Sequence, residues 1–191
     1  MKIKTILIGC VFLIFSCILF GKEYKPLEQV KKFSFEVTEI NYIGKKQKKI
    51  LYFVQMSLPH VFKKEILFPD LNKGEIYLYR ENMKTVYLPM FEQKKTMKLE
   101  KEELQVLDVI KILAKQLSTD MAFRKEYYDK KNVEFILNEN YKAVIQSYSE
   151  IDQYLFPKKW LLEEKGQKIL ELTLSKIEIN PNFTERDFQV P

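Results

Sequence analysis

Residues 50 to 56 read Ile-Leu-Tyr-Phe-Val-Gln-Met and scarcely alternate between apolar and polar. Successive side chains of a strand point to opposite faces, so a strand with one wet face should alternate. Here Ile50, Tyr52, Val54 and Met56 fill one face while Leu51 and Phe53 load the other. Both faces therefore call for cover. On either side the pattern is more regular. From Phe33 to Ile43, Phe33, Phe35, Val37 and Glu39 oppose Ser34, Glu36, Thr38 and Ile40. A turn over Gly44 to Gln47 leads into the two-sided strand, Lys49 to Ser57, which Pro59 ends. Further strands are predicted at Val61 to Phe68, Glu75 to Tyr79, Thr85 to Leu88 and Lys95 to Leu99. Connections this short impose an antiparallel meander.

The period then changes. Leu104, Leu107, Ile110, Leu113 and Leu117 recur at helical spacing, and Val106, Val109, Ile112 and Ala114 widen the stripe, so 102–117 is predicted as a long helix. Ser118-Thr119-Asp120 stops it and caps a shorter helix over Met121 to Tyr128. Strand patterns resume at Val133 to Leu137, Lys142 to Tyr148, Leu155 to Glu163 and Lys168 to Ile179. A short helix is predicted ahead of the first strand, over Lys25 to Lys32, with Pro26 in its first turn. The fold class is α+β, mainly antiparallel β, in one domain. One broad-striped helix is little cover for a whole sheet, which must either pack on another sheet or curve around an apolar space with the helix over its opening.

The first 21 residues read as an export signal. Lys2 and Lys4 precede the apolar stretch Thr5 to Phe20, and Gly21 stands before the polar Lys22-Glu23-Tyr24-Lys25. Cleavage after Gly21 leaves a domain over 22–191 destined for the periplasm. Two other readings stay open. Ile14-Phe15-Ser16-Cys17 resembles a lipobox, which would make the protein a membrane-anchored lipoprotein through Cys17; an uncleaved anchor would need about 20 apolar residues to span a bilayer. Both cysteines, Cys10 and Cys17, lie in this segment, so the exported domain has no disulfide and is held by packing.

Thirty-two basic and twenty-six acidic residues are interspersed along the chain, and the net charge of +6 falls to +4 when Lys2 and Lys4 leave with the signal. No block reads as a nucleic-acid tail. Catalytic material is scarce. His60 is the single histidine, beside the strand-ending Pro59, and there is no nucleophile elbow. Five glycines form no phosphate-cradling loop, and Glu102-Glu103 and Glu163-Glu164 are neighbours that point apart. The expectation is a protein without enzyme activity, cofactor or metal. Its abundant resource is large apolar surface, with 14 Phe and 11 Tyr.

Phe33 to Gln93 resembles the periplasmic outer-membrane lipoprotein carriers, the LolA-like family. The resemblance lies in an initial Phe-rich strand, a long strand ending at Leu58-Pro59-His60-Val61-Phe62, and a hairpin closing on Tyr87-Leu88-Pro89-Met90-Phe91-Glu92-Gln93. The ending, Asn180-Pro181-Asn182-Phe183-Thr184-Glu185-Arg186-Asp187-Phe188-Gln189-Val190-Pro191, is similar to the family's closing strand. What the resemblance implies is an unclosed antiparallel half-barrel with a helical lid over a hydrophobic cavity that carries lipoprotein acyl chains or other lipids. It also implies an inner-membrane release complex as donor and an outer-membrane acceptor, with the carrier itself a monomer. The cavity wall expected on this basis is Phe35, Val37, Tyr52, Val54, Met56, Phe62, Tyr77, Tyr79 and Tyr87, and the lid Leu104, Leu107, Ile110 and Leu113. A lipid-sensing or binding domain of the same fold is the alternative. Carriers of the best-known type often have Arg before the strand-ending Pro; Leu58 stands there, so the lid must be latched differently or the cavity left partly open.

Overall fold

The computed structural model describes residues 23–44, 46–99 and 106–191, with side chains in the long helix described from Asp108 on. The signal segment, Cys17, Leu104 and the first turn expected of the helix lie outside the described residues, as does the side chain of Leu107.

Six strands form the first meander: β1 (Lys32–Ile43), β2 (Lys46–Ser57), β3 (Val61–Phe68), β4 (Ile76–Arg80), β5 (Met83–Leu88) and β6 (Gln93–Lys98). Helices α1 (Val106–Thr119) and α2 (Met121–Tyr128) follow, then β7 (Val133–Ile136), β8 (Tyr141–Ile151), β9 (Tyr154–Glu164) and β10 (Gln167–Ile179). All ten strands belong to one curved antiparallel sheet in the order β6-β5-β4-β3-β2-β1-β10-β9-β8-β7. β10 returns to pair with β1, joining the two meanders, and β6 and β7 remain at opposite edges, so the sheet is unclosed. The helices are the crossover between the meanders.

The register follows the side chains. Phe33 faces Met56, Phe35 faces Val54 and Val37 faces Tyr52 across β1 and β2, placing the apolar set of both strands on the concave face. From the other meander come Leu172 and Leu174 on β10 and Trp160 and Leu162 on β9. Phe156 packs its ring 5.4 Å from that of Phe33 and 6.1 Å from that of Phe35. Helix α1 lays Val109, Ile110, Leu113 and Leu117 onto this core. α2 is capped by Asp120, whose carboxylate accepts from Phe123 N at 2.9 Å, and it anchors through Tyr127, whose buried hydroxyl donates to Leu155 O at 2.7 Å.

Two expectations at the chain ends change. The helix over 25–32 is a single 3-10 turn, Leu27–Gln29, because Lys32 and Phe33 pair with Ser57 and Met56 and the sheet claims them. One helical turn alone cannot repay its nucleation cost. The closing segment is not a strand. After β10 it makes a 3-10 turn, Glu185–Phe188, in which Thr184 N donates to Asp187 Oδ2 at 2.7 Å. This segment lies on the convex face of β3 to β6: Lys63 Nζ donates to Asp187 O at 2.8 Å, Lys94 Nζ to Val190 O at 3.0 Å, and Phe188 is buried. Part of the second apolar face is thus covered by the chain's own tail.

Candidate functional site

Along β1 the concave face reads Phe33, Phe35, Val37, then Glu39, Asn41 and Ile43. Where the large apolar residues run, the face is packed solid against Phe156, Trp160 and α1. Where they give way to Glu39 and Asn41, an open cavity of about 510 Å³ remains, which Val109 of α1 borders. Volumes of roughly 300–1,000 Å³ are usual for small-molecule sites. Its apolar wall comes from Leu162 on β9, from Ile169, Leu170 and Leu172 on β10, and from Phe62 on β3. One corner is polar, formed by Glu39 and Asn41 on β1, Tyr52 on β2 and Lys64 on β3. Tyr42, Ile43, Tyr141 and Glu164 complete the lining.

The polar corner is ordered internally. Tyr52 Oη donates to Glu39 Oε2 at 2.9 Å, and Asn41 Nδ2 donates to Glu39 Oε1 at 2.7 Å. Burial, followed by the nearby Glu39 carboxylate, pushes the Tyr52 phenol well above its ordinary pKa. The Lys64 ammonium stands 4.0 Å above the centre of the Tyr52 ring and 6.0 Å from that of Tyr77. Burial lowers its pKa, an effect that Glu39 opposes and Lys84 reinforces. Lys84 in turn stands over Tyr77 and Tyr79 at 5.8 and 5.6 Å.

The residues expected as wall and lid divide among several places. Tyr52 and Phe62 line the cavity. Phe35, Val37, Val54 and Met56 are each 0% exposed within the core, filling the concave face where a hollow was expected. They share one buried cluster with Phe156, Leu174 and residues of α1. Tyr79 is buried against Phe62, with ring centres 5.5 Å apart, and Tyr77 is half-buried beside Lys64. Tyr87 pairs with Ile76, which pairs with Glu65, so it points to the convex face, away from the other eight. Ile110 and Leu113 face an apolar seam of about 10 Å³ with Leu27, Val30, Leu58 and Leu117. Leu58, standing where the resemblance expects Arg, therefore belongs to a closed hydrophobic seam beneath α1. Its side chain packs there with Ile110, Leu113 and Leu117 of α1. The lining residues that pattern reading missed are Glu39, Asn41, Lys64 and the β9–β10 leucines. Glu39 and Lys64 had a signal: each is a charge set into an otherwise apolar alternation, after Val37 and between Phe62 and Ile66.

Among the described residues no group of His, Cys, Asp and Glu is placed to hold a metal, and no helix is long and apolar enough to cross a membrane. No protein-family model and no curated protein matches the sequence. Solved structures match the fold. A LolA superfamily protein from Nitrosomonas europaea superposes over 85% of this chain and 91% of its own, with a TM-score of 0.60 at 10% identity. The chain has the LolA-like fold. Two further matches are a DUF1329 family protein from Desulfovibrio piger and a structure named for a putative outer membrane lipoprotein-sorting protein domain from Vibrio parahaemolyticus. The first has a TM-score of 0.56 at 11% identity over 84% of this chain and 90% of its own. The second has 0.55 at 10% over 83% and 89%. At such identities the LolA-like likeness concerns the backbone, and the lining of the cavity is this chain's own.

Proposed function

We propose that this protein is a periplasmic carrier whose LolA-like domain, residues 22–191 after loss of the signal, shields lipoprotein acyl chains and delivers them toward the outer membrane. The observation that carries the reading is the open cavity of about 510 Å³ that Phe62, Leu162, Leu170 and Leu172 line. An acyl chain in water costs roughly 0.8 kcal/mol per methylene, on the order of 10 kcal/mol per chain, so unaided crossing of an aqueous gap is excluded. An aliphatic wall recovers that cost over contact area and still releases the chain to a membrane, because no single bond must break. The fold of the Vibrio structure, named for lipoprotein sorting, supports the same reading. No enzymatic step is required of the carrier.

The test is extraction of gently purified mature protein, mass analysis of the lipid recovered, and transfer of a lipidated protein to acceptor vesicles. Co-purified acyl chains and transfer that depends on the protein are expected. Absence of both refutes the carrier. Mass measurement of the mature N-terminus distinguishes a free periplasmic chain starting at Lys22 from one lipidated at Cys17.

A further inference from the structure

Among the described residues that line the cavity, Lys64 is the one cation. Lys64 lies on the concave face of β3, between Phe62 and Ile66, with its ammonium over Tyr52. Among the described residues it contacts the Tyr52 and Tyr77 rings and donates to no carboxylate or carbonyl. Glu39 is the acid nearby, and both of its oxygens already accept, one from Tyr52 and one from Asn41. The other acid of the lining, Glu164, sits on β9, four strands away across the sheet. A half-buried ammonium resting on an aromatic face retains unused donors. Lys64 lines the same cavity as Leu162, Leu170 and Leu172, which stand on strands at the other side of the β1–β10 junction.

We propose that the cavity is a site for amphiphiles that join an alkyl chain to an oxyanion, with the chain along the β9–β10 leucines and the oxyanion seated on Lys64. Phosphate and carboxylate headgroups share this chemistry. The proposal rests on the reading of the cavity as a lipid site and adds a headgroup preference to it. Recognition of an oxyanion by an ammonium in a partly dry site is a charge-assisted hydrogen bond, stronger than its neutral counterpart. Tyr52 positions the ammonium from beneath, and Glu39 holds Tyr52 in place through its hydroxyl. The bare chain is bound by area alone, so the headgroup separates one amphiphile from another while the tail provides most of the affinity.

The experiment measures binding of tetradecyl phosphate, tetradecanoate and tetradecanol to the mature protein below their micelle concentrations, by displacement of an apolar fluorophore. Wild-type protein is expected to bind at least one of the two anions about tenfold more tightly than the alcohol, as one charge-assisted hydrogen bond allows. The tighter of the two identifies a phospholipid-like or a fatty-acid-like headgroup. Lys64→Met is expected to abolish the preference for the anion over the alcohol, and Lys64→Arg to retain it. Equal binding of all three probes by wild-type protein, or a preference that survives Lys64→Met, overturns the headgroup site and leaves the carrier intact. Failure to bind any of the probes overturns both. Unchanged far-ultraviolet circular dichroism of Lys64→Met excludes unfolding as the cause of a lost preference.

Discussion

At the scale of single residues, the concave face holds two kinds of position that look alike in the sequence. Val54 and Leu170 are both apolar, inward-facing strand residues, yet Val54 is fully enclosed and Leu170 borders the cavity. A charge at each separates them. Val54→Asp buries an unpaired carboxylate, costs several kcal/mol and unfolds the domain. Leu170→Asp puts the carboxylate where water reaches it. Thermal unfolding is expected to show a folded Leu170→Asp protein and a lipid-retention assay an empty one; an unfolded Leu170→Asp would mean that the cavity is core. Tyr52→Phe removes the hydrogen bond to Glu39. A hydrogen bond to a charged group contributes about 2 kcal/mol, so chemical denaturation should show a loss of that order. Lys64→Met, by contrast, removes a charge that lacks an acceptor while keeping a flexible stem on the Tyr52 ring, and its melting temperature is expected to equal or exceed that of the wild type.

At the scale of elements, α1 and the C-terminal segment do opposite jobs for one sheet. α1 covers the concave face through Val109, Ile110, Leu113 and Leu117, and the tail covers part of the convex face through Phe188. Phe188→Ala is expected to cost roughly 3 kcal/mol, as deletion of a buried phenyl ring usually does. The same measurement on Leu113→Ala should give about 2–5 kcal/mol. A loss below 1 kcal/mol for Phe188→Ala would show that the tail is a passenger on the sheet. Strand elements were legible because alternation survives in them: the predicted β1 and β3 agree with those observed to within a residue. The tail was legible as a motif and not as a structure. Asp187 closes a local turn on Thr184 while Phe188 seeks an apolar surface, and neither preference states that the surface is the back of β3 to β6.

At the scale of the whole molecule, two meanders meet at the β1–β10 pair and share one core, so buried groups in either report on both. Tyr52 in the first meander and Tyr127 between the helices and β9 are fully enclosed, and burial raises both phenol pKa values well above the ordinary tyrosine value near 10. A group that ionises more readily unfolded than folded contributes stability that is complete below its unfolded pKa and is lost as pH rises above it. Stability followed by denaturant titration is therefore expected to fall from about pH 10 upward, by as much as about 1.4 kcal/mol per pH unit for each tyrosine. Tyr127→Phe should reduce that slope by one proton.

By itself the sequence determined most of the strands, the two helices and the antiparallel class, because period and turn chemistry are local properties that the chain carries in order. It also carries Glu39 and Lys64 as charges on apolar faces, a signal that the reading of its pattern passed over. Tertiary structure alone decided that Tyr87 turns outward, that Phe35, Val37, Val54 and Met56 are filling, and that the hollow opens where β1 changes from Val37 to Glu39. Whether an inward side chain touches a ligand or another side chain depends on what stands opposite it. For these strands the opposing groups, Phe156, Trp160 and the β10 leucines, arrive from more than a hundred residues further along the chain.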